Sequence, residues 1–237
     1  MRNGCNATIS KRKKIKLIVL DTQNVDLKVC GITTSDSIIT AANNNIKSLG
    51  FASNNLFGPN TCDDDLIKSL IEECKEYKIE SVLLSRYQTT MELIKQIDYT
   101  KPKIISCSYF FEKSDLKSLK NIFKKLKIGI AANPENFDKN YFQTIAQLIN
   151  IFYYDLNIYK KNWIKTFSIY DCLDQIKFLK LLKKPIYVGG GLNHKNAKLI
   201  IDSARPNGLD ISRSLKDRNN NISESKLKKL INSLSAV

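Results

Sequence analysis

The 237-residue sequence is poor in histidine, and its single copy, His194, stands beside Asn193 at the expected start of a helix. A histidine-centred triad therefore has little to build on, and His194 reads as an exposed or capping residue. Cysteine occurs at Cys5, Cys30, Cys62, Cys74, Cys107 and Cys172 but never as Cys-x-x-Cys. With one histidine no zinc cluster is expected, no metal is assigned, and the thiols read as free in a reducing compartment. The longest apolar runs, such as 17–20 and 151–154, fall far short of the roughly 20 residues that cross a bilayer, so no membrane partner is expected. Charge near the start, at Arg2 and 11–14, is not followed by an apolar stretch of secretory length, and the cytoplasm is the default location. Acidic residues are also scarce, 23 against 38 basic ones, leaving a net charge of +15. That balance raises a basic nucleic-acid-binding protein as one reading. The excess is mostly lysine, diffusely spread, without a helix-turn-helix, finger or aromatic RNA-binding pattern, so no specific nucleic acid is expected. Abundant Lys, Asn and Ile together point instead to AT-rich coding sequence.

What is present is ordinary globular usage, 43% hydrophobic and 26% charged, in a length that suits an α/β barrel. Short β-rich runs alternate with segments of helical period, the signature of βα units around a parallel sheet. Eight strands are expected, at 27–31, 48–52, 81–85, 103–107, 127–131, 151–155, 185–189 and 208–212. Between them, 66–77 carries Leu66, Ile67, Leu70, Ile71 and Cys74 on one face, with Asp63, Asp64 and Asp65 at its N-terminal end. The stretch 116–126 repeats the pattern with Leu116, Leu119, Ile122, Phe123 and Leu126. The fold class is thus a single parallel eight-stranded (βα)8 TIM barrel over 27–237, preceded by an N-terminal extension over 1–26 of unassigned role. Within that extension, 15–20 reads as an additional strand or an appendage. No Pro/Gly-rich linker divides the chain.

Three of the nine glycines, Gly189, Gly190 and Gly191, follow the seventh expected strand. Glycines there let backbone N–H groups turn toward a phosphate, and a helix beginning near Asn193 would add the positive end of its dipole. Barrels often build phosphate sites from the loops after strands seven and eight, and the eighth strand leads into Ser212, Arg213 and Ser214. The alternative is a tight turn with no ligand. Cys30 closes the first strand at the rim where barrels keep catalytic groups, and it shares a face with Lys28, whose ammonium would favour a thiolate. The alternative is a space-filling thiol. Asp155 ends an apolar strand, where a carboxylic acid near apolar walls can keep its proton and act as a general acid. A loop or capping aspartate is the competing reading. Trp163, in a basic loop after the sixth strand, reads as a packed loop anchor.

These residues fall in an order that resembles the phosphoribosylanthranilate isomerase family. Lys28-Val29-Cys30-Gly31-Ile32-Thr33 resembles its Lys-Ile-Cys-Gly-Ile-Thr opening, and Gly190-Gly191-Leu192-Asn193 followed by Asn196 resembles its Gly-Gly-Leu-Asn-Pro-Glu-Asn signature. Ser48-Leu49-Gly50-Phe51, Tyr153-Tyr154-Asp155 and the segment from Arg205-Pro206 to Ser212 resemble its second, sixth and eighth strands. The resemblance implies a cofactor-free isomerase of tryptophan biosynthesis acting on a small phosphorylated substrate by an Amadori rearrangement. It implies Asp155 as general acid and Cys30 as general base, with Gly189, Gly190, Gly191, Ser212 and Arg213 around the phosphate. Where the family carries Ser-Pro-Arg, with the arginine on the substrate carboxylate, this chain has Phe57-Gly58-Pro59-Asn60. Lys160 and Lys165 are the expected replacements, and Lys28 and Asp210 are further substrate-contact candidates. A barrel that keeps the phosphate cup but serves another sugar phosphate, or lacks catalysis, is the second reading. Oligomeric state is not legible.

Overall fold

The computed structural model describes residues 25–56, 60–160 and 163–235. The expected extension over 1–26, with its 15–20 run, lies outside the described residues except for Val25 and Asp26, and Asp26 already belongs to the first strand. In chain order the strands are β1 (Asp26–Val29), β2 (Ser48–Ser53), β3 (Thr61–Cys62), β4 (Glu80–Ser85), β5 (Ile104–Cys107), β6 (Lys127–Ala132), β7 (Ile151–Asp155), β8 (Asn157–Lys160), β9 (Trp163–Thr166), β10 (Ile186–Gly189) and β11 (Gly208–Ile211). All but β3, β8 and β9 are parallel barrel staves, and each lies within two residues of its expected position. Closure runs through β1, which pairs with β2 at Lys28↔Ser48 and with β11 from Asp26↔Gly208 to Val29↔Ile211. The chain therefore folds as the expected (βα)8 barrel.

The helices are α1 (Ser35–Asn43), α2 (Asp64–Glu76), α3 (Thr90–Thr100), α4 (Lys113–Ile122), α5 (Lys139–Ile145), α6 (Ile169–Leu181), α7 (Ala197–Ala204) and α8 (Glu224–Ser235). Their starts are set by side chains that take orphan N–H groups. Asp63 accepts from the Leu66 amide at 2.8 Å, and the Thr89 hydroxyl accepts from the Glu92 amide at 3.3 Å while donating to the Glu92 carboxylate at 2.5 Å. Two expected boundaries are corrected. The helix over 116–126 stops at Ile122, because Phe123 leaves helical geometry and the Leu126 amide returns to its carbonyl at 3.1 Å to turn the chain into β6. The helix expected near Asn193 begins only at Ala197. Among the described residues no helix is long and apolar enough to cross a membrane.

Strand alternation sorts the core into two bodies. Outward residues such as Leu49, Phe51, Leu83, Phe152, Val188, Leu209 and Ile211 pack under the helices in one large cluster. Inward residues Val82, Ile104, Ile151 and Tyr153 form a smaller plug inside the barrel, with Leu84 and Tyr187 against it. The same alternation fixes what stands above the plug. At the C-terminal end of the staves the inward positions are Lys28 and Cys30, Asp155, Gly189, Asp210 and Ser212.

Candidate active site

The C-terminal mouth of the barrel holds a cavity of about 1360 Å³. At its floor Lys28, 1% exposed, places Nζ 2.6 Å from Asp210 Oδ2 and 4.9 Å above the centre of the Tyr153 ring. Burial pushes this ammonium down, but the Asp210 carboxylate and Cys30 together more than offset it and hold Lys28 above its usual range. The other carboxylate oxygen, Asp210 Oδ1, is buried with no hydrogen-bond partner among the described residues. Gly50, inward on the neighbouring stave, makes room for this group: a Cβ there would lie 2.7 Å from Cys30 Sγ and 3.1 Å from Lys28 Nζ.

Cys30 lines the cavity on the same face as Lys28. Proximity to the ammonium does not leave it a ready thiolate, however. Burial raises the thiol above its ordinary value, and Lys28 offsets that only in part, with the Asp210 carboxylate adding to the rise. Lys28 does favour the thiolate, as its position on the shared face implied, but desolvation of a charged sulfur outweighs one nearby cation that is itself paired.

Asp155 stands at the end of β7 and also lines the cavity. Its Oδ1 accepts the Asn157 amide at 2.8 Å. Burial lifts its carboxyl from 3.8 to about 6; the Asn157 hydrogen bond opposes the shift and Asp210 adds to it. A carboxyl poised there is populated in both protonation states near neutral pH, as a general acid requires.

Opposite β4, the loops after β10 and β11 form a small-residue cup in which Gly189, Gly190, Gly191, Ser212, Arg213 and Ser214 all line the cavity. Gly190 has φ +95°, and a Cβ there would meet Asp155 Oδ1 and lie 2.6 Å from the Leu156 amide, so only glycine lets the loop pass this close to the acid. The two loops are tied by Ser214, whose hydroxyl donates to the Leu192 carbonyl at 2.6 Å. Asn193 and Asn196 both donate to the Gly191 carbonyl, at 3.3 and 3.2 Å, and Asn196 Oδ1 accepts the Asn193 amide at 2.8 Å. This asparagine turn is what delays α7 to Ala197, so the cup is built from loops and the helix end is set back. His194 lies in that turn.

The segment after β7 is not a basic loop but an antiparallel hairpin, β8 paired with β9 from Asn157↔Thr166 to Lys160↔Trp163. Thr166 donates to Asn157 Oδ1 at 2.7 Å and Asn157 donates to the Tyr159 hydroxyl at 3.1 Å. Trp163, expected as a packed anchor, is 51% exposed and lines the cavity together with Tyr159 and Ile164. Lys165 lies over the Phe167 ring at 4.4 Å and is not part of the lining; the side chain of Lys160 lies outside the described residues.

Three residues in or near the cavity escape a reading of the sequence alone. Tyr153 supplies the ring beneath Lys28. Arg86, one residue past the end of β4, lines the mouth, and the stave ending at Ser85 was the available signal. Lys216, 5% exposed, buries its amine without a hydrogen-bond partner among the described residues; burial pushes it down to about 8 against the opposing pull of Cys30, Asp217 and Cys62.

No protein-family model and no curated protein sequence matches the chain. Among solved structures, N-(5'-phosphoribosyl)anthranilate isomerase from Pyrococcus furiosus is similar with a TM-score of 0.70 at 17% identity, over 90% of this chain and 100% of that one. Phosphoribosylanthranilate isomerase from Thermotoga maritima is similar with a TM-score of 0.69 at 15% identity, over 90% and 100%. This chain shares their fold. KGPDC from Streptococcus mutans shares it too, at a TM-score of 0.63 and 16% identity over 90% and 100%, so the fold by itself does not select one reaction.

Proposed function

We propose that this chain is a divergent phosphoribosylanthranilate isomerase that converts N-(5-phosphoribosyl)anthranilate to the corresponding 1-deoxyribulose phosphate. The observation that carries the reading is Asp155, a carboxyl lifted to about 6, facing one cavity with Cys30 and the glycine cup. Similarity to isomerase structures, one in complex with reduced 1-(o-carboxyphenylamino)-1-deoxyribulose 5-phosphate, supports it (TM-score 0.67, 14% identity).

In this mechanism the phosphate sits in the cup of Gly189, Gly190, Gly191, Ser212 and Arg213. Asp155 gives its proton to the ribose ring oxygen as the C1–O bond breaks, and the anilino nitrogen supplies the electron pair that forms the iminium. Cys30 then takes the proton from C2 and the released electron pair neutralises the nitrogen; the enolamine becomes the ketone as its C2 hydroxyl gives up a proton and C1 gains one, which returns Asp155 to its acid and Cys30 to its base form. Because burial disfavours the thiolate, the adjacent Lys28 ammonium is the group that lowers the cost of that step. The unpartnered Asp210 oxygen would accept a ribose hydroxyl in this scheme. No cofactor enters the scheme.

The test is turnover of freshly generated substrate, followed by loss of anthranilate fluorescence. Cys30→Ala and Asp155→Asn are each expected to abolish turnover while leaving inorganic phosphate binding nearly intact. Unchanged rates in both variants would refute the assignment. Absent turnover in the parent protein with retained phosphate binding would favour the second reading, a phosphate-binding barrel for another sugar phosphate, which the altered 57–60 segment also suits.

A further inference from the structure

Among the described residues the mouth carries two guanidinium groups, and they do not belong to one cluster. Arg213 sits with the glycine cup after β11. Arg86 sits after β4, which is four staves from β10 in either direction around the closed barrel, so the Arg86 side of the rim faces the glycine run across the cavity. The Arg86 side chain is exposed and has no ion pair or hydrogen bond among the described residues. Its backbone, in contrast, is held: the Arg86 amide donates to Asn55 Oδ1 at 3.1 Å, and Asn55 Nδ2 donates to Ser85 Oγ at 3.3 Å, which joins the segment after β2 to the end of β4. Lys28, buried beneath the cavity, is already committed to Asp210 at 2.6 Å. An anchored stem with a free, planar, permanently charged fork is suited to a carboxylate, which it can bind through two parallel N–H donors.

We infer that Arg86 is a specificity-determining residue that grips a carboxylate at the far end of the ligand from its phosphate, so that the site selects molecules carrying anionic groups at both ends. The inference rests on the isomerase reading for the identity of that ligand, whose anthranilate carboxylate is the group Arg86 would hold. Carboxylate capture thereby moves to the third stave from the segment after the second, where this chain has no arginine between Phe57 and Asn60.

Two probes separate this inference from the reading it rests on: reduced 1-(o-carboxyphenylamino)-1-deoxyribulose 5-phosphate, and its phenylamino counterpart lacking the carboxylate. Both are titrated calorimetrically into the full chain and into Arg86→Met. The parent protein is expected to prefer the carboxylated probe by about 10- to 100-fold, as a charge-assisted bidentate contact implies. Arg86→Met is expected to bind both probes alike, at the affinity the parent shows for the phenylamino one, and Arg86→Lys to recover part of the preference. A preference that persists in Arg86→Met would overturn the role of Arg86 and leave the isomerase reading standing. Equal binding of both probes by the parent would also overturn it while leaving phosphate recognition intact. Failure of the parent to bind either probe would overturn both.

Discussion

Replacing Asp155 by asparagine is expected to stabilise the fold above pH 6 and to leave it unchanged below pH 4. Burial lifts this carboxyl from 3.8 to about 6. Each tenfold change in proton affinity is worth about 1.4 kcal/mol, so ionising Asp155 costs the folded chain about 3 kcal/mol more than the unfolded one. Below 3.8 the group is protonated in both states and the penalty is absent; it grows as the pH rises and is complete once the folded-state carboxyl has ionised, above about 6. Asparagine retains a carbonyl for the Asn157 amide and never ionises. In a chain of this size about 3 kcal/mol corresponds to a rise of roughly 6–12 °C in Tm. Scanning calorimetry of parent and variant from pH 4 to 8.5 at constant ionic strength reads the difference directly. A difference in Tm that is flat across that range would show that Asp155 titrates like an exposed aspartate, and the case for it as a general acid would fall with it. The same variant is expected to lose turnover, so stability and activity move in opposite directions at one residue.

Lys28→Met leaves the Asp210 carboxylate buried without its partner and is expected to cost about 3–5 kcal/mol in urea unfolding, with Lys28→Met/Asp210→Leu losing clearly less; equal losses would mean the pair contributes only packing. Lys216→Met is expected to raise the urea unfolding free energy at pH 7 by about 3 kcal/mol, because the folded chain holds that amine near 8 rather than 10.5. The gain shrinks as pH climbs from 8 toward 10.5, the reverse of the Asp155 profile, and a pH-independent gain would refute the burial argument. Gly190→Ala, at φ +95° with its methyl against Asp155 and Leu156, is expected to cost about 1–3 kcal/mol from backbone strain alone and to weaken phosphate binding in calorimetry. Retained affinity would place the phosphate elsewhere.

The staves were legible because each is a short β-rich run ending where helical period begins, and the face shared by Lys28 and Cys30 followed from alternation alone. The Gly189 to Gly191 run was legible as a feature because three of nine glycines in succession at a strand end announce a close backbone approach. The protonation of Cys30 was not, since spacing reports that an ammonium is near but not how much water both groups lose. The start of α7 was missed because it depends on Asn193 and Asn196 turning back on Gly191, a contact between side chains that no period reveals. The hairpin after β7 did leave a trace: two β-rich tetrads, beginning at Asn157 and Trp163, flank the dipeptide Lys161-Asn162. Arg86 had no motif around it, and only the closed geometry of the barrel puts it across from the glycines.

The Lys28–Asp210 pair joins the first stave to the last, and the site straddles that seam. During synthesis at about 5–20 residues per second, a chain emerging from its N-terminus exposes Lys28 long before Asp210 exists. Until β11 docks, Lys28 lacks the carboxylate that pairs with it, and the glycine run after β10 lacks the Ser214 hydroxyl that ties it to the neighbouring loop. Closing the barrel and pairing its most deeply buried charge are thus one event, which falls to the last βα unit of the chain.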